Sequence, residues 1–316
     1  IPPLFLAACL EAQPKPDLAE LPLSSFTIDT VIEGLDTPWS VATLPTSGYL
    51  VTEKRGILRH VKSDGSSSII GGLPGDIYTK QQAGLFDVVL SPAFTNDRLI
   101  FISYAYGTDD ANGTALIRAN LVDGALINAK TLFKSNPKDT ASHFGGRVAI
   151  LPDSTLILTL GDGFVYREAA QDLTTHLGKI VRINQDGSIP KSNPFYGQAD
   201  AKKAVYSYGH RNVQGLAFDT QSGTLWAHEH GPRGGDELNL LEPGANYGWP
   251  LATTGTDYSG SKITPYKSYD GTKAFIHDWV PSIAPSGLAI YRGNKFPEWN
   301  GDALVGGLAS RSLRRI

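Results

Sequence analysis

Short runs of alternating apolar and polar residues recur along the chain, each closed by a turn signal. GILRHVKSDG, ALIRANLVDG and GKIVRINQDG place alternating β-formers and an arginine before an Asp-Gly turn, ending at Gly65, Gly124 and Gly187. These turns lie 59 and 63 residues apart, and a related run, LNLLEPG, ends 57 residues further on at Gly244. A second pattern recurs beside the first: YLVTE from Tyr49, RLIFISY from Arg98, TLILTLGD from Thr155, TLWAHEH from Thr224 and ALVGGL from Ala303. Strict alternation over such lengths, bounded by Pro, Asn, Asp or Gly turns, reads as half-buried strands, and no segment sustains a helical period.

The long superperiod decides the architecture. One unit of roughly 50–80 residues reused around a closed ring fits a β-propeller of four-stranded antiparallel blades, whereas sandwich strands recur every ~8–12 residues without such a period. The expectation is an all-β, six-bladed propeller over residues 25–316 with its last blade incomplete, preceded by a tail over residues 1–24. In such a ring the loops after the inner strands are expected to carry chemistry.

The net charge of −3 and the absence of any Lys/Arg tract exclude a dedicated nucleic-acid surface and point to small-molecule partners. A single cysteine, Cys9, excludes an intrachain disulfide framework. The tail IPPLFLAACLEAQPKPDLAE is apolar up to Cys9 and polar beyond it, as the end of a secretory signal is. Its LAAC run resembles the bacterial lipobox, which predicts a lipid anchor on Cys9 at a periplasmic membrane face. The chain has no methionine and ends within a strand-like SLRRI, so both ends read as cut from a longer protein.

Five polar clusters interrupt the strands: KQQAGL around Gln82, SHFGGR around His143, GHRNVQGL around Arg211 and Asn212, HEHGPRGGDELN from His228, and WVPSIAPSG from Trp279. His143 is the candidate general base, since an unperturbed imidazole titrates near ~6.5 and the glycines after it permit close approach of a ligand. Arg211 and Asn212 offer planar donors for carboxylates or quinone oxygens, and Gln82 offers an amide. In HEHGPRGGDELN, zinc would need a third ligand beside His228 and His230 that has no motif spacing. Calcium takes oxygens, and Gly231 and Pro232 can expose carbonyls in a turn, so ligand type favours calcium.

PWSVATLP, QQAGLFDVVLSPAF, HFGGRVAILPD, LTLGDG, QDLTTHLGKIVRIN, YSYGHRNVQGLAFD, HEHGPRGGDELNLLEPGANYGWP and VPSIAPSGLAIY resemble, in order, the signatures of the soluble PQQ-dependent glucose/sorbosone dehydrogenases. The resemblance is nearest to their aldose sugar dehydrogenase branch and runs from about Leu35 to Leu313. It implies a six-bladed propeller that binds PQQ and calcium. By this resemblance His143 is the base that takes the proton from the sugar's C1 hydroxyl, and Gln82, Arg211 and Asn212 contact PQQ. It also implies that the carbonyls of Gly231 and Pro232 ligate a catalytic calcium, and that Glu237 and Tyr247 lie at a second, structural one. Trp279 either lines the sugar pocket or packs in a blade. Two positions depart from the glucose dehydrogenase branch: Ser142 stands where an aspartate precedes the base, and Ala309 where a lysine binds PQQ, with Arg311 as a substitute.

The implied activity is oxidation of an aldose sugar to its lactone, with electrons passed to a downstream acceptor. The alternative from another class is a noncatalytic propeller of the same family that binds a protein or glycan, which the alanine at 309 keeps open.

Overall fold

A computed structural model describes residues 26–316; the Cys9 lipobox and the whole of the expected tail, residues 1–24, lie outside the described residues. Residues 26–30 have no regular structure, and residues 31–316 form one compact unit.

That unit is an all-β propeller of five blades among the described residues. Blade 1 holds β1 (Pro38–Thr43), β2 (Tyr49–Glu53), β3 (Ile57–Val61) and β4 (Ser67–Ile70). Blade 2 holds β5 (Leu85–Leu90), β6 (Leu99–Gly107), β7 (Asn112–Val122) and β8 (Ala125–Lys134). Blade 3 holds β9 (Val148–Ile150), β10 (Leu156–Thr159), β11 (Lys179–Ile183) and β12 (Val205–Tyr208). Blade 4 holds β13 (Val213–Asp219), β14 (Thr224–Glu229), β15 (Asp236–Leu240) and β16 (His277–Trp279). Blade 5 has three strands, β17 (Pro285–Ile290), β18 (Ala303–Gly307) and β19 (Ser312–Arg315). Six blades were expected; the described residues form five, and the incomplete blade is the fifth. All pairings within the blades are antiparallel and sequential, and the first strands β1, β5, β9, β13 and β17 neighbour one another in turn around the axis.

The two repeats read from the sequence are the second and third strands of the blades. A third repeat, in the first strands, is visible only in the fold: Ser40-Val41, Asp87-Val88, Arg147-Val148, Gln214-Gly215 and Ser286-Gly287 occupy matching places at the inner ends of the blades. Packing between blades is apolar. Leu50, Leu58, Leu85, Ile100, Ile102 and Ile117 form one fully buried layer between blades 1 and 2, and Phe101, Leu116, Leu156, Leu158 and Val181 form the next.

Side-chain bonds seam the blades together at the inner strands. Thr52 Oγ1 on β2 donates to the Phe86 carbonyl of blade 2 at 2.5 Å, Ser103 Oγ on β6 donates to the Gly146 carbonyl before β9, and Thr159 Oγ1 on β10 donates to the Val213 carbonyl of blade 4 at 3.2 Å. The same three hydroxyls accept the backbone N–H of Ser40, Asp87 and Arg147 in their own blades at 2.9–3.0 Å. Each thus satisfies a backbone group left over where a first strand bulges. In blade 4 two imidazoles replace the hydroxyl: His228 bonds the Gly287 carbonyl at 2.9 Å and His230 the Pro285 carbonyl at 2.8 Å. A Cβ on Gly215 would lie 2.1 Å from the His228 ring, so the larger latch requires glycine where the earlier first strands carry valine. The equivalent place in blade 5 is Gly306, which has no side chain to contribute.

The His228 latch makes acid stability measurable. Burial pushes its imidazole down to about 3, so the native protein refuses a proton that the unfolded chain accepts near ~6.5. Its contribution is complete above that unfolded value and is lost as pH falls toward 3, at about 1.4 kcal/mol per pH unit. Thermal melts between pH 7 and 4 are expected to fall steeply in the parent and less steeply, by about one proton, in His228→Gln, which can still donate to Gly287. Parallel slopes would mean that His228 does not carry the loss of stability in acid.

Candidate active site

The polar clusters gather on one face of the ring, but not in the loops after the inner strands. They lie in the segments that enter each inner strand and in those that leave each second strand. Gln82 precedes β5, His143 precedes β9, Arg211 and Asn212 precede β13, while Asp162 follows β10 and residues 230–235 follow β14. The reason is antiparallel pairing: the start of a first strand and the end of its neighbour share one edge of the sheet.

His143 is buried, in the left-handed region at φ 50°, and its backbone N–H donates to Gln82 Oε1 at 2.8 Å. Gln82 therefore fixes the base loop. The glycines after His143 serve packing: a Cβ on Gly145 would meet the Thr159 carbonyl at 2.5 Å, and one on Gly146 the Phe86 ring at 2.8 Å. The space expected for a ligand beside them is occupied by protein. Lys138 braces the same loop, with Nζ 2.9 Å from Asn112 Oδ1 and 3.5 Å from the centre of the Phe144 ring; burial lowers it to about 7.

His143 Nδ1 lies 2.6 Å from Asp162 Oδ1, and both groups are buried. A carboxylate only accepts, so Nδ1 carries the hydrogen and Nε2 keeps its lone pair. Burial pushes the imidazole below its ordinary value, opposed by Asp162 and reinforced by the positive Arg211. The ring is therefore a neutral base at pH 7. Asp162 accepts twice more, from Phe164 N–H at 2.8 Å and from Trp249 Nε1 at 2.8 Å. The departure at Ser142 leaves the base with its carboxylate, because Asp162 supplies it from another loop.

Backbone bonds knit the neighbouring segments: Asp162 N–H donates to the Arg211 carbonyl at 2.9 Å and Gly145 N–H to Asn212 Oδ1 at 3.1 Å. With its oxygen engaged, Asn212 keeps its NH2 for donation. The Arg211 guanidinium is buried, donates to the Gly231 carbonyl at 2.6 Å and the His230 carbonyl at 3.1 Å, and lies over the Trp249 ring at 5.4 Å. Beneath it, Glu229 accepts from Arg211 N–H at 2.6 Å and bonds His210 Nδ1 at 2.9 Å.

A small cavity of about 10 Å³, room for one water-sized sphere, is bordered by Glu229, Glu237, Gly231, Gly235 and Tyr247. Glu237 is driven well above the usual carboxylate range, first by burial and then by the charge of Glu229. Two carboxylates paired across β14 and β15, Glu229 buried and Glu237 half-buried, call for a proton or a cation between them.

The remaining expected residues lie elsewhere. Trp279 is buried with Leu238, Ile283, Ala303 and Val305, so it is the packed blade tryptophan of the two readings. Arg311 is exposed in the β18–β19 turn at φ 48°, and the bonds that knit the site do not include it. His228 and His230 are latches, which removes them from any metal set. Asp162 and Trp249 were not foreseen as site residues. A signal existed for Asp162, an acid after a glycine at the end of an apolar second strand; Trp249 is 87 residues from its partner and gave none.

Residues 35–316 match the Glucose / Sorbosone dehydrogenase family. The chain belongs to this family. It is an oxidoreductase. Aldose sugar dehydrogenase YliI of Escherichia coli K12 is 39% identical over 99% of this chain and 84% of its own. A crystal structure of a glucose dehydrogenase superposes with a TM-score of 0.89 at 41% identity, covering 92% of this chain and 86% of that one. The PQQ-bound aldose sugar dehydrogenase of Streptomyces coelicolor superposes at 0.76 with 31% identity, over 92% and 79% of the two chains. Among the described residues of this dehydrogenase, no helix is long and apolar enough to cross a membrane.

Proposed function

We propose that this dehydrogenase oxidises aldose sugars at C1 to the lactone, with PQQ and calcium bound on the face where Arg211 and His143 meet. The observation that carries the reading is the buried His143 and Asp162 pair, a neutral base with its tautomer fixed and its Nε2 open. When bound, PQQ supplies the two-electron acceptance and calcium a Lewis acid.

The chain's own residues fit both groups. The Arg211 guanidinium and the Asn212 NH2 would hold carboxylates or carbonyls of the quinone, with Arg311 at the rim of the same face. The Gly231 and Pro232 carbonyls would take the catalytic calcium; Gly231 already draws a cation, the guanidinium of Arg211. Glu237 and Glu229, with the Tyr247 backbone, would hold the second calcium in the small cavity, where divalent charge relieves their repulsion. His143 Nε2 takes the C1 hydroxyl proton as the C1 hydrogen leaves with its electron pair. Asp162 then stabilises the imidazolium and holds the ring in register.

The resemblance to the glucose/sorbosone dehydrogenases supports a ring of six blades, five of them formed by the described residues. The LAAC run supports export to the periplasm with a lipid on Cys9, and passage of the electrons to a downstream acceptor there. Reconstitution with PQQ and calcium, followed by dye reduction across several aldoses, tests the activity. Sugar-dependent reduction abolished by EDTA, with a thermal midpoint that rises with calcium, is expected. Absence of reduction with every aldose would sink the reading.

A further inference from the structure

Phe164 combines two local costs that a surface residue ordinarily avoids. It is a bulky aromatic at φ 72°, in the region L side chains rarely adopt, and its side chain stands 47% exposed. The conformation is held from one side by its N–H, bonded to Asp162 Oδ1 at 2.8 Å. Strain of this kind persists where the surroundings over-determine it, which is common at ligand sites. The result is a ring set edge-on to the base: the Phe164 and His143 centroids are 5.2 Å apart at 87°. Tyr258, 60% exposed, continues the surface at 6.2 Å and 32°, and Arg211 lies 5.9 Å from its ring. Phe164, Val165 and Tyr258 share a cavity of about 220 Å³ with Arg211, Pro232 and Trp249. The charged Arg167, Glu168 and Asp257 line the same cavity.

We propose that Phe164, extended by Tyr258, is the platform on which the sugar ring stacks, and that it sets specificity among pyranoses. This rests on the sugar-oxidising reading above. A pyranose with equatorial hydroxyls presents a C–H face that packs on an aromatic ring, while its hydroxyls reach the charged groups at the side. An axial hydroxyl breaks that face and lowers the contact. Stacking on a ring set edge-on to His143 holds the sugar beside the base with the same contact before and during the reaction, so the platform acts through binding.

Phe164→Gly is the decisive variant, because glycine adopts φ 72° without strain and keeps the N–H bond to Asp162; its thermal midpoint is expected to hold or rise. In the PQQ- and calcium-loaded enzyme, KM for glucose should rise about ten-fold with kcat changed less than about three-fold, and the preference for glucose over its axial epimers should flatten. Saturation-transfer NMR, irradiating protein aromatic protons, should reach the glucose ring protons in the parent and not in the variant. It needs no turnover, so a parent that binds glucose this way without oxidising it would overturn the activity and leave the platform standing. An unchanged KM and epimer ratio overturn the platform, as does a loss of PQQ affinity with unchanged KM, which would assign the ring to the cofactor. Absence of saturation transfer from the parent to any pyranose overturns it as well.

Discussion

Asp162→Asn is expected to leave the propeller folded and to lower kcat by about 10²–10⁴-fold. The carboxylate accepts from three donors, His143 Nδ1, Phe164 N–H and Trp249 Nε1. Asparagine has one oxygen for these three. If that oxygen faces Trp249, the NH2 meets the Phe164 N–H and forces the hydrogen of His143 onto Nε2, which is the wrong tautomer for a base. If it faces His143, the NH2 opposes the indole N–H and the ring loses its brace.

The pH profile separates this from a general loss of structure. Burial already sets His143 below its ordinary value, so kcat/KM in the parent should still hold where an ordinary imidazole is half protonated, at pH ~6.5, and decline only at more acid pH as the ring takes a proton. Asp162 opposes that shift, since its charge favours the imidazolium; without the charge the acid limb should move to still lower pH. Rates across pH 4–8 check both statements. Activity within three-fold of the parent at pH 7 would remove Asp162 from the base.

Asp236→Ala is expected to have the largest effect on stability. Asp236 is fully buried on β15 and accepts from Gly231 N–H at 3.0 Å, Ser282 Oγ at 2.6 Å, Ile283 N–H at 2.9 Å and Ala284 N–H at 3.1 Å. Truncation orphans the Gly231 and Ile283 N–H groups and frees the Ser282 hydroxyl, while Ala284 N–H keeps Ser282 Oγ at 3.1 Å; the loss is about 3–5 kcal/mol and the thermal midpoint falls by roughly 10 °C. Asp236→Asn should cost less, because one oxygen can keep the three donors of residues 282–284 while the NH2 opposes Gly231 N–H. Its calcium midpoint should still move, since Gly231 carries a proposed ligand carbonyl. Calorimetry of both variants with and without calcium reads the two effects separately.

The second and third strands were legible because their alternation is strict and their turns carry Asp-Gly or Pro-Gly. The first strands were not seen as a repeat, since the residue that heads them changes kind from Ser40 to Asp87, Arg147 and Gln214 while keeping its place. His143, Arg211 and Gly231 stood out as chemistry in glycine-rich breaks. Asp162 did not, because it looked like the end of a strand, and its meaning depends on a loop 19 residues away. The metal reading of His228 and His230 could be settled only in three dimensions: their partners are the carbonyls of Gly287 and Pro285, 59 and 55 residues further on.

The seams between blades also have a kinetic consequence. His143 enters from the segment joining blades 2 and 3, Arg211 from the one joining 3 and 4, and Gly231 from the top of blade 4. No single blade owns the reactive geometry, so its tolerance is that of the joints. Reacting groups displaced by about one ångström can forfeit about 10²-fold in rate. Ser103 and Thr159, which touch neither base nor guanidinium, therefore act as alignment pins for turnover, and their removal can be felt in rate before it is felt in folding.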